Sequence, residues 1–246
     1  MRMLVDIGNT NTSIAFVSGK KIRKRYFIHT SRENINADAL RRLFGPRLRE
    51  TEEIVLVSVV PKFCSLMKRS MVFVAPNVPV RIVGKDVKVP IKIGYPSPAE
   101  IGQDRLVVAF AASRVYGSPV LVVDFGTAVT FDLVNKDGRY EGGLIFPGLR
   151  LGAEALARNA ALLPHVTINP VKGKAPIARN TRESINRGML FGYAAACDGI
   201  VARFKKKYSK ALKVVATGGD AALITRHSSQ IKTVCPNLIF EGLLRL

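Results

Sequence analysis

The chain has 246 residues, 48% hydrophobic and 23% charged, which is the make-up of a folded globular protein with one large domain or two lobes. No apolar run approaches the ~18–20 residues of a membrane span, and no signal-peptide pattern precedes the first strand. Three scattered cysteines (Cys64, Cys197, Cys235) show no Cys-x-x-Cys spacing; this excludes a disulfide framework or zinc ribbon and leads us to expect a cytoplasmic protein.

The net charge is +20, from 38 Lys+Arg against 18 Asp+Glu. Such a surface attracts nucleic acid and nucleotides alike. The densest basic runs are 20–25 and 203–207. Aromatic residues make up only 7%, with no Trp, and no stacking pattern is interleaved with the cations. The runs therefore read as solvated faces, and nucleic acid is not the expected partner. His29, His165 and His227 are isolated and have no metal-ligand spacing.

In chain order, an apolar run ends in Asp6. Ile7 and Gly8 follow, then Asn9, Thr10, Asn11, Thr12 and Ser13, and apolar alternation resumes at Ile14. This predicts a buried strand, a tight turn and a second strand. Gly8 lets backbone approach a ligand, and the small polar residues offer hydroxyls, amides and N–H groups suited to phosphate oxygens. The turn Ser18-Gly19-Lys20 leads to a third strand. Next come a helix over 36–48, a strand over 53–60 stopped by Pro61, and a short helix over 63–69. Residues 71–74 either extend that helix or form a strand, and 80–83 is a strand.

Residues 89–105 form a shaped loop with three prolines. Ser97 is expected to cap a short helix with Pro98 at its first position. A longer helix begins at Asp104, is apolar on nearly every side, and is closed by Gly117. Asp104 and Arg105 at the mouth of a buried helix read as a structural cap with an ion pair, or as a general base with an anion clamp. The helix dipole favours ionised Asp104, ready to take a proton.

The opening pattern then returns. A strand ends in Asp124, Gly126 and Thr127 make a polar turn, a second strand follows, and Asp137-Gly138 turns into a third. A single Asp-x-Gly turn is an ordinary hairpin. Two copies imply two related lobes facing each other across a cleft, each offering one carboxylate and one phosphate-approaching turn. Like charges repel, so two carboxylates near phosphates imply metal-bound nucleotide. Further along, a helix over 151–161 leads to a proline-bearing loop over 163–177. A long helix then runs to about Tyr208. Thr181 is expected to cap it, with Ser184 at the capping-box position, and Gly188, Gly192 and Gly199 are expected to permit close helix contact. Strand 214–216 ends in Thr217-Gly218-Gly219, a backbone cradle for a nucleotide, and the chain closes in a helix around Gly242.

The ordered set of both Asp-x-Gly turns, Gly102-Gln103-Asp104-Arg105, Gly142-Gly143 to Pro147-Gly148, and Thr217-Gly218-Gly219 resembles the type III pantothenate kinases over nearly the whole chain. These are members of the actin-like ATPase and sugar kinase superfamily. A Walker-type phosphate loop is absent from the sequence, in keeping with that superfamily. The resemblance implies an α/β fold of two actin-like (ribonuclease H-like) lobes, 1–115 and 116–246, each a mixed sheet with flanking helices. It implies ATP-dependent phosphorylation of pantothenate to 4′-phosphopantothenate, the first step towards coenzyme A.

Carried onto this sequence, the resemblance makes Asp6, Ile7, Gly8, Asn9, Thr10, Asn11, Thr12 and Ser13 the first phosphate turn, with Asp6 on Mg²⁺. Asp124 would hold a monovalent cation (K⁺ or NH₄⁺), and Thr127 would touch ATP. Asp104 would be the proton acceptor. Tyr95, Gly102, Gln103, Asp104 and Arg105 would line the pantothenate pocket, which Thr181 would reach across a homodimer interface. Gln103 stands where members of the family often have a small residue. The alternatives are an accessory or regulatory protein on the same fold, or an actin-like kinase acting on another small hydroxylated substrate.

Overall fold

The computed structural model describes residues 1–171, 173 and 176–246. Lys172, Lys174 and Ala175 of the proline-bearing loop lie outside the described residues. The chain divides into two compact units. The first is Met1–Ile91, Ser97–Ala111 and Ile239–Leu246; the second is Lys92–Pro96 and Ala112–Leu238.

In the first unit, strands β1 (Arg2–Ile7), β2 (Asn11–Ser18) and β3 (Lys21–His29) form an antiparallel meander. Helices α1 (Arg32–Ile35) and α2 (Ala37–Leu48) follow, then β4 (Glu53–Ser58), α3 (Pro61–Val74) and β5 (Val80–Ile82). The sheet order is β3-β2-β1-β4-β5, with β4 parallel to β1 and β5 parallel to β4. Both faces are covered, which is why β1 and β4 read as unbroken apolar runs. Met3, Val5, Ile14, Phe16, Ile54 and Leu56 pack with Leu40, Phe44, Met67 and Met71 of α2 and α3. On the other face Leu4, Ala15, Val55 and Val57 meet Val107 of α4 (Gln103–Tyr116) and Phe240 and Leu243 of α8 (Leu238–Leu243).

Several expected boundaries move. Residues 71–74 continue α3, which starts at Pro61, where the missing proline N–H costs nothing. Strand β4 therefore ends at Ser58, and Ser58 Oγ accepts from Val60 N–H at 3.0 Å as the chain turns into the helix. The short α1 was not anticipated. Residues 98–100 form a 3₁₀ turn, but Ser97 makes no side-chain capping bond to it. Helix α4 starts one residue earlier than expected and ends at Tyr116, where Gly117, with a φ of +78° and its N–H donating to Ser113 O at 3.0 Å, closes it.

The second unit repeats the first. Strands β7 (Val120–Phe125), β8 (Ala128–Val134) and β9 (Arg139–Pro147) form an antiparallel meander. Strand β10 (Lys213–Thr217) lies parallel to β7, and β11 (Thr233–Val234) lies parallel to β10. The order β9-β8-β7-β10-β11 thus matches β3-β2-β1-β4-β5 strand for strand, with β6 (Lys92–Ile93) added on the β9 edge. One α/β plan, used twice, is the actin-like fold.

Its core joins Leu121, Val123, Phe125, Phe131 and Leu133 to α5 (Leu149–Asn159), α6 (Thr181–Lys207) and α7 (Ala221–Thr225). Close α5–α6 contact comes through Gly152, where an added Cβ would sit 2.7 Å from the Tyr193 hydroxyl oxygen. At Gly188, Gly192 and Gly199 an added Cβ would meet nothing within 4 Å, so these glycines do not serve the close contact expected of them. Asn180, not Thr181, caps α6: its side chain accepts from Glu183 N–H at 2.9 Å. Thr181 is the first helical residue, and Ser184 Oγ donates back to Asn180 O at 2.9 Å. Burial pushes the Cys197 thiol up to about 12, so it stays a packing residue. Among the described residues no helix is long and apolar enough to cross a membrane.

Asp198 of α6 fastens the loop before β11. Its carboxylate accepts from Ser228 Oγ, from Ser229 N–H and Oγ at 2.6 and 2.7 Å, and from Gln230 N–H at 3.0 Å. Burial raises its pKa, but these donors outweigh it, and the net shift is downward. A depressed native pKa gives stability that is present above the unfolded value of about 3.9 and lost as pH falls through the native value. Asp198→Asn is expected to cost about 2 kcal/mol at pH 7. The melting-temperature gap to the unaltered protein should shrink below about pH 4, as followed by thermal unfolding across pH.

Candidate active site

Asp6 is half-buried near the end of β1, opposite Ser13 on β2 and Val57 on β4. The turn beyond it is tight. Gly8 N–H donates to Asn11 O at 3.0 Å, and a Cβ at Gly8 would stand only 3.1 Å from that carbonyl. Asn9, Thr10 and Asn11 are exposed. Ile7 and Thr12 are fully buried, so their side chains support the turn and do not face a ligand.

The support comes from Thr30, just after β3. Its hydroxyl donates to Gly8 O at 2.9 Å and lies 3.0 Å from the Thr12 hydroxyl, and its N–H donates to Thr10 O at 2.9 Å. Nothing in the local sequence marks Thr30; only the pairing of β2 with β3 brings it there.

The mouth of α4 belongs to the same unit and lies near that turn. Val59 N–H donates to Ile7 O at 3.2 Å, and a Cβ at Gly102 would stand 3.7 Å from Val59 Cγ1. The same Cβ would be 2.5 Å from Asp104 Oδ1, so the bare Cα of Gly102 is what lets the Asp104 carboxylate fold back over it. Arg105 N–H donates to that oxygen at 2.8 Å and fixes the group at the positive end of the helix. Gln103 lays its side chain over Gly84, which has φ +85° and where a Cβ would meet Gln103 Cδ at 2.7 Å.

In the second unit Asp124 is half-buried near the end of β7, flanked by Thr130 on β8 and Thr217 on β10. Gly126 N–H closes the turn on Ala128 O at 3.1 Å, and Thr127 is exposed. Two glycines hem the turn in. A Cβ at Gly148 would be 2.1 Å from Thr127 O, and one at Gly218 (φ +91°) would be 2.4 Å from Asp124 Oδ1. Asp220 N–H donates to Phe125 O at 3.2 Å, and its carboxylate pairs with Arg150 at 2.9 Å. This pair, unmarked in the sequence, fastens the Thr217-Gly218-Gly219 segment to α5 behind the turn.

Tyr95 lies on the β6 side of the same unit. Its ring covers Gly142 (φ +99°), where a Cβ would be 2.9 Å from Cδ2. Thr181 is exposed at the start of α6. The structure thus brings the Asp6 turn and the Gly102–Arg105 mouth together in one unit. It brings the Asp124 turn and the Thr217–Asp220 segment together in the other.

The donors at both turns are all oxygen. Among the described residues no cluster of three His, Cys, Asp or Glu could hold a metal by itself. One carboxylate plus phosphate oxygens suits Mg²⁺, and one carboxylate plus neutral oxygens in a glycine-lined recess suits a monovalent cation. The residues at Asp6 and Asp124 fit those two groups.

The family model for type III pantothenate kinase matches residues 2–203. A type III pantothenate kinase of Geobacillus sp. (strain WCH70) is 37% identical over 249 aligned positions, covering 99% of this chain and 95% of that protein. One of Geobacter sulfurreducens is 37% identical, with 99% and 96% covered. The chain belongs to the type III pantothenate kinase family. The match takes in both Asp-x-Gly turns, the mouth of α4 and the start of α6. Solved structures show the fold more widely. A protein of Sinorhizobium meliloti assigned as a 2-dehydro-3-deoxygalactonokinase aligns with a TM-score of 0.56 at 12% identity, covering 99% of this chain and 97% of that one. At that identity the likeness is one of fold, and the chemistry rests on the type III pantothenate kinase match.

Proposed function

We propose that this chain transfers the γ-phosphoryl group of ATP to the hydroxyl of pantothenate, giving 4′-phosphopantothenate and ADP in coenzyme A biosynthesis. The observation that carries this is full-length similarity to type III pantothenate kinases. Phosphoryl transfer needs positioning and charge neutralisation more than covalent help.

The backbone N–H groups of the Asp6–Ser13 turn and the hydroxyls of Thr10 and Ser13 would hold phosphate oxygens, and Thr127 would contact ATP from the second turn. Asp6 would hold hydrated Mg²⁺ and Asp124 a potassium or ammonium ion. When bound, these cations supply positive charge against the phosphates as negative charge shifts towards the leaving group. Arg105 would pair with the pantothenate carboxylate, with Tyr95, Gly102, Gln103 and Thr181 lining the pocket.

Asp104 would take the proton of the pantothenate hydroxyl as its oxygen bonds to the γ-phosphorus and the bond to the ADP oxygen breaks. The proton ends on Asp104 and the electron pair on ADP, so the step balances. Residue Thr181 acting from a second copy makes the working form a homodimer. Ile145 (67% exposed), Ile177 (79%) and Leu162 (94%) are large apolar side chains of the second unit suited to burial against a partner copy.

The test is a coupled ADP-release assay with pantothenate present or absent, in potassium and in sodium. Release that requires pantothenate and is faster in potassium is expected, with the phosphorylated product identified by mass spectrometry. Release indifferent to pantothenate would be transfer to water, that is ATP hydrolysis, and release that needs a different added alcohol would point to another small hydroxylated substrate. No release would point to an accessory protein on the same fold.

A further inference from the structure

Asp124 shares its face of the sheet with other polar groups. Its cross-strand partner is Thr130, and strand alternation puts Thr130 and Asp132 on one face of β8. Asp132 is fully buried, as is Tyr140. The Tyr140 hydroxyl donates to Asp132 Oδ1 at 2.7 Å, and the Thr130 hydroxyl donates to Asp132 Oδ2 at 2.9 Å. Opposite Asp132 on β9 stands Gly143, where a Cβ would lie 1.5 Å from Phe131 O and 3.2 Å from Asp132 Cα.

Burying a carboxylate in a sheet face is costly, and packing alone would be served by an apolar residue. The set has a directional consequence. The single proton of Thr130 is donated to Asp132 Oδ2 and is thereby committed to it. The lone pairs of Thr130 Oγ1 are then free of that proton and remain available on the face shared with Asp124. A hydroxyl in that state is a neutral oxygen ligand; one free to rotate could turn its proton towards a cation instead.

We propose that Thr130 is a second oxygen ligand for the monovalent cation at Asp124, and that Asp132, held by Tyr140, positions it by fixing the direction of the hydroxyl. This deepens the reading of Asp124 given above and rests on it. Partners that orient a metal ligand from behind change affinity about 10–100-fold when altered.

The test is thermal unfolding, together with calorimetry of ATP binding, as KCl replaces choline chloride at constant ionic strength. In the unaltered protein KCl should raise the melting temperature and tighten ATP binding. Thr130→Val, which keeps the shape and loses the oxygen, should raise the half-saturating KCl at least ~10-fold. Thr130→Ser should restore the unaltered response. Asp132→Asn should weaken the KCl response as well, because an amide can donate to Thr130 and reverse its hydroxyl.

A merely structural role would lower the melting temperature of Thr130→Val in choline and leave its half-saturating KCl unchanged; that result would overturn the proposal. If Asp132→Asn does not fold, the Thr130 pair still decides. No KCl response in the unaltered protein would bring down the cation reading of Asp124 itself, and this inference with it.

Discussion

Asp104→Asn is expected to leave ATP binding nearly intact while lowering turnover at least ~100-fold, the low end for a general base. That factor corresponds to about 2.7 kcal/mol of transition-state stabilisation. The substitution is nearly isosteric. An amide oxygen still accepts from Arg105 N–H, the bond that holds Asp104 Oδ1 at 2.8 Å, so the mouth of α4 keeps its geometry. The amide does not take up a proton at neutral pH, so the chemical step alone should suffer. Single-turnover quench kinetics would separate that step from nucleotide binding measured by calorimetry.

Gly102→Ala supplies the companion experiment. Its Cβ would fall 2.5 Å from Asp104 Oδ1, so the carboxylate must move without being removed. Turnover should fall here too, although the acid is still present. Full turnover in Asp104→Asn would remove the base role.

The duplicated strand plan was legible because a buried strand, an acid at its end and a glycine two residues later form a local pattern, and the pattern occurs twice. The buried α4 was legible because Leu106 to Ala112 carries no polar residue. What the sequence hid depends on contacts between distant segments. Thr30 looks like any loop threonine until β3 pairs with β2 and brings it under the Gly8 turn. The Arg150–Asp220 pair joins residues 70 positions apart. The very short β6 is a strand only because β9 offers it an edge. The cap of α6 was displaced by one residue because Asn180 and Thr181 are both good capping types, and only the extended backbone at Asn180 (φ −152°, ψ 160°) decides between them. The three α6 glycines misled for a related reason: a small residue permits close approach, but a neighbour has to be there to use it.

The other large effect should come from Gly218, and its neighbour Gly219 provides the control. Gly218 has φ +91°, a conformation that costs an L-residue about 1–2 kcal/mol. A Cβ there would also stand 2.4 Å from Asp124 Oδ1 and 2.6 Å from Phe125 N. The obstruction is Phe125 backbone on one side and the Asp124 carboxylate on the other, so neither can yield without moving the Asp124 turn. Gly218→Ala should therefore cost about 3 kcal/mol or more in thermal unfolding. Where the protein still folds, it should also lose the KCl-dependent part of ATP binding. At Gly219 an added Cβ meets nothing within 4 Å, and Gly219→Ala should stay within about 0.5 kcal/mol of the unaltered protein. Equal behaviour of the two alanine variants would mean that the turn tolerates displacement, and that Asp124 is not held against the Thr217–Gly218 backbone as tightly as these distances require.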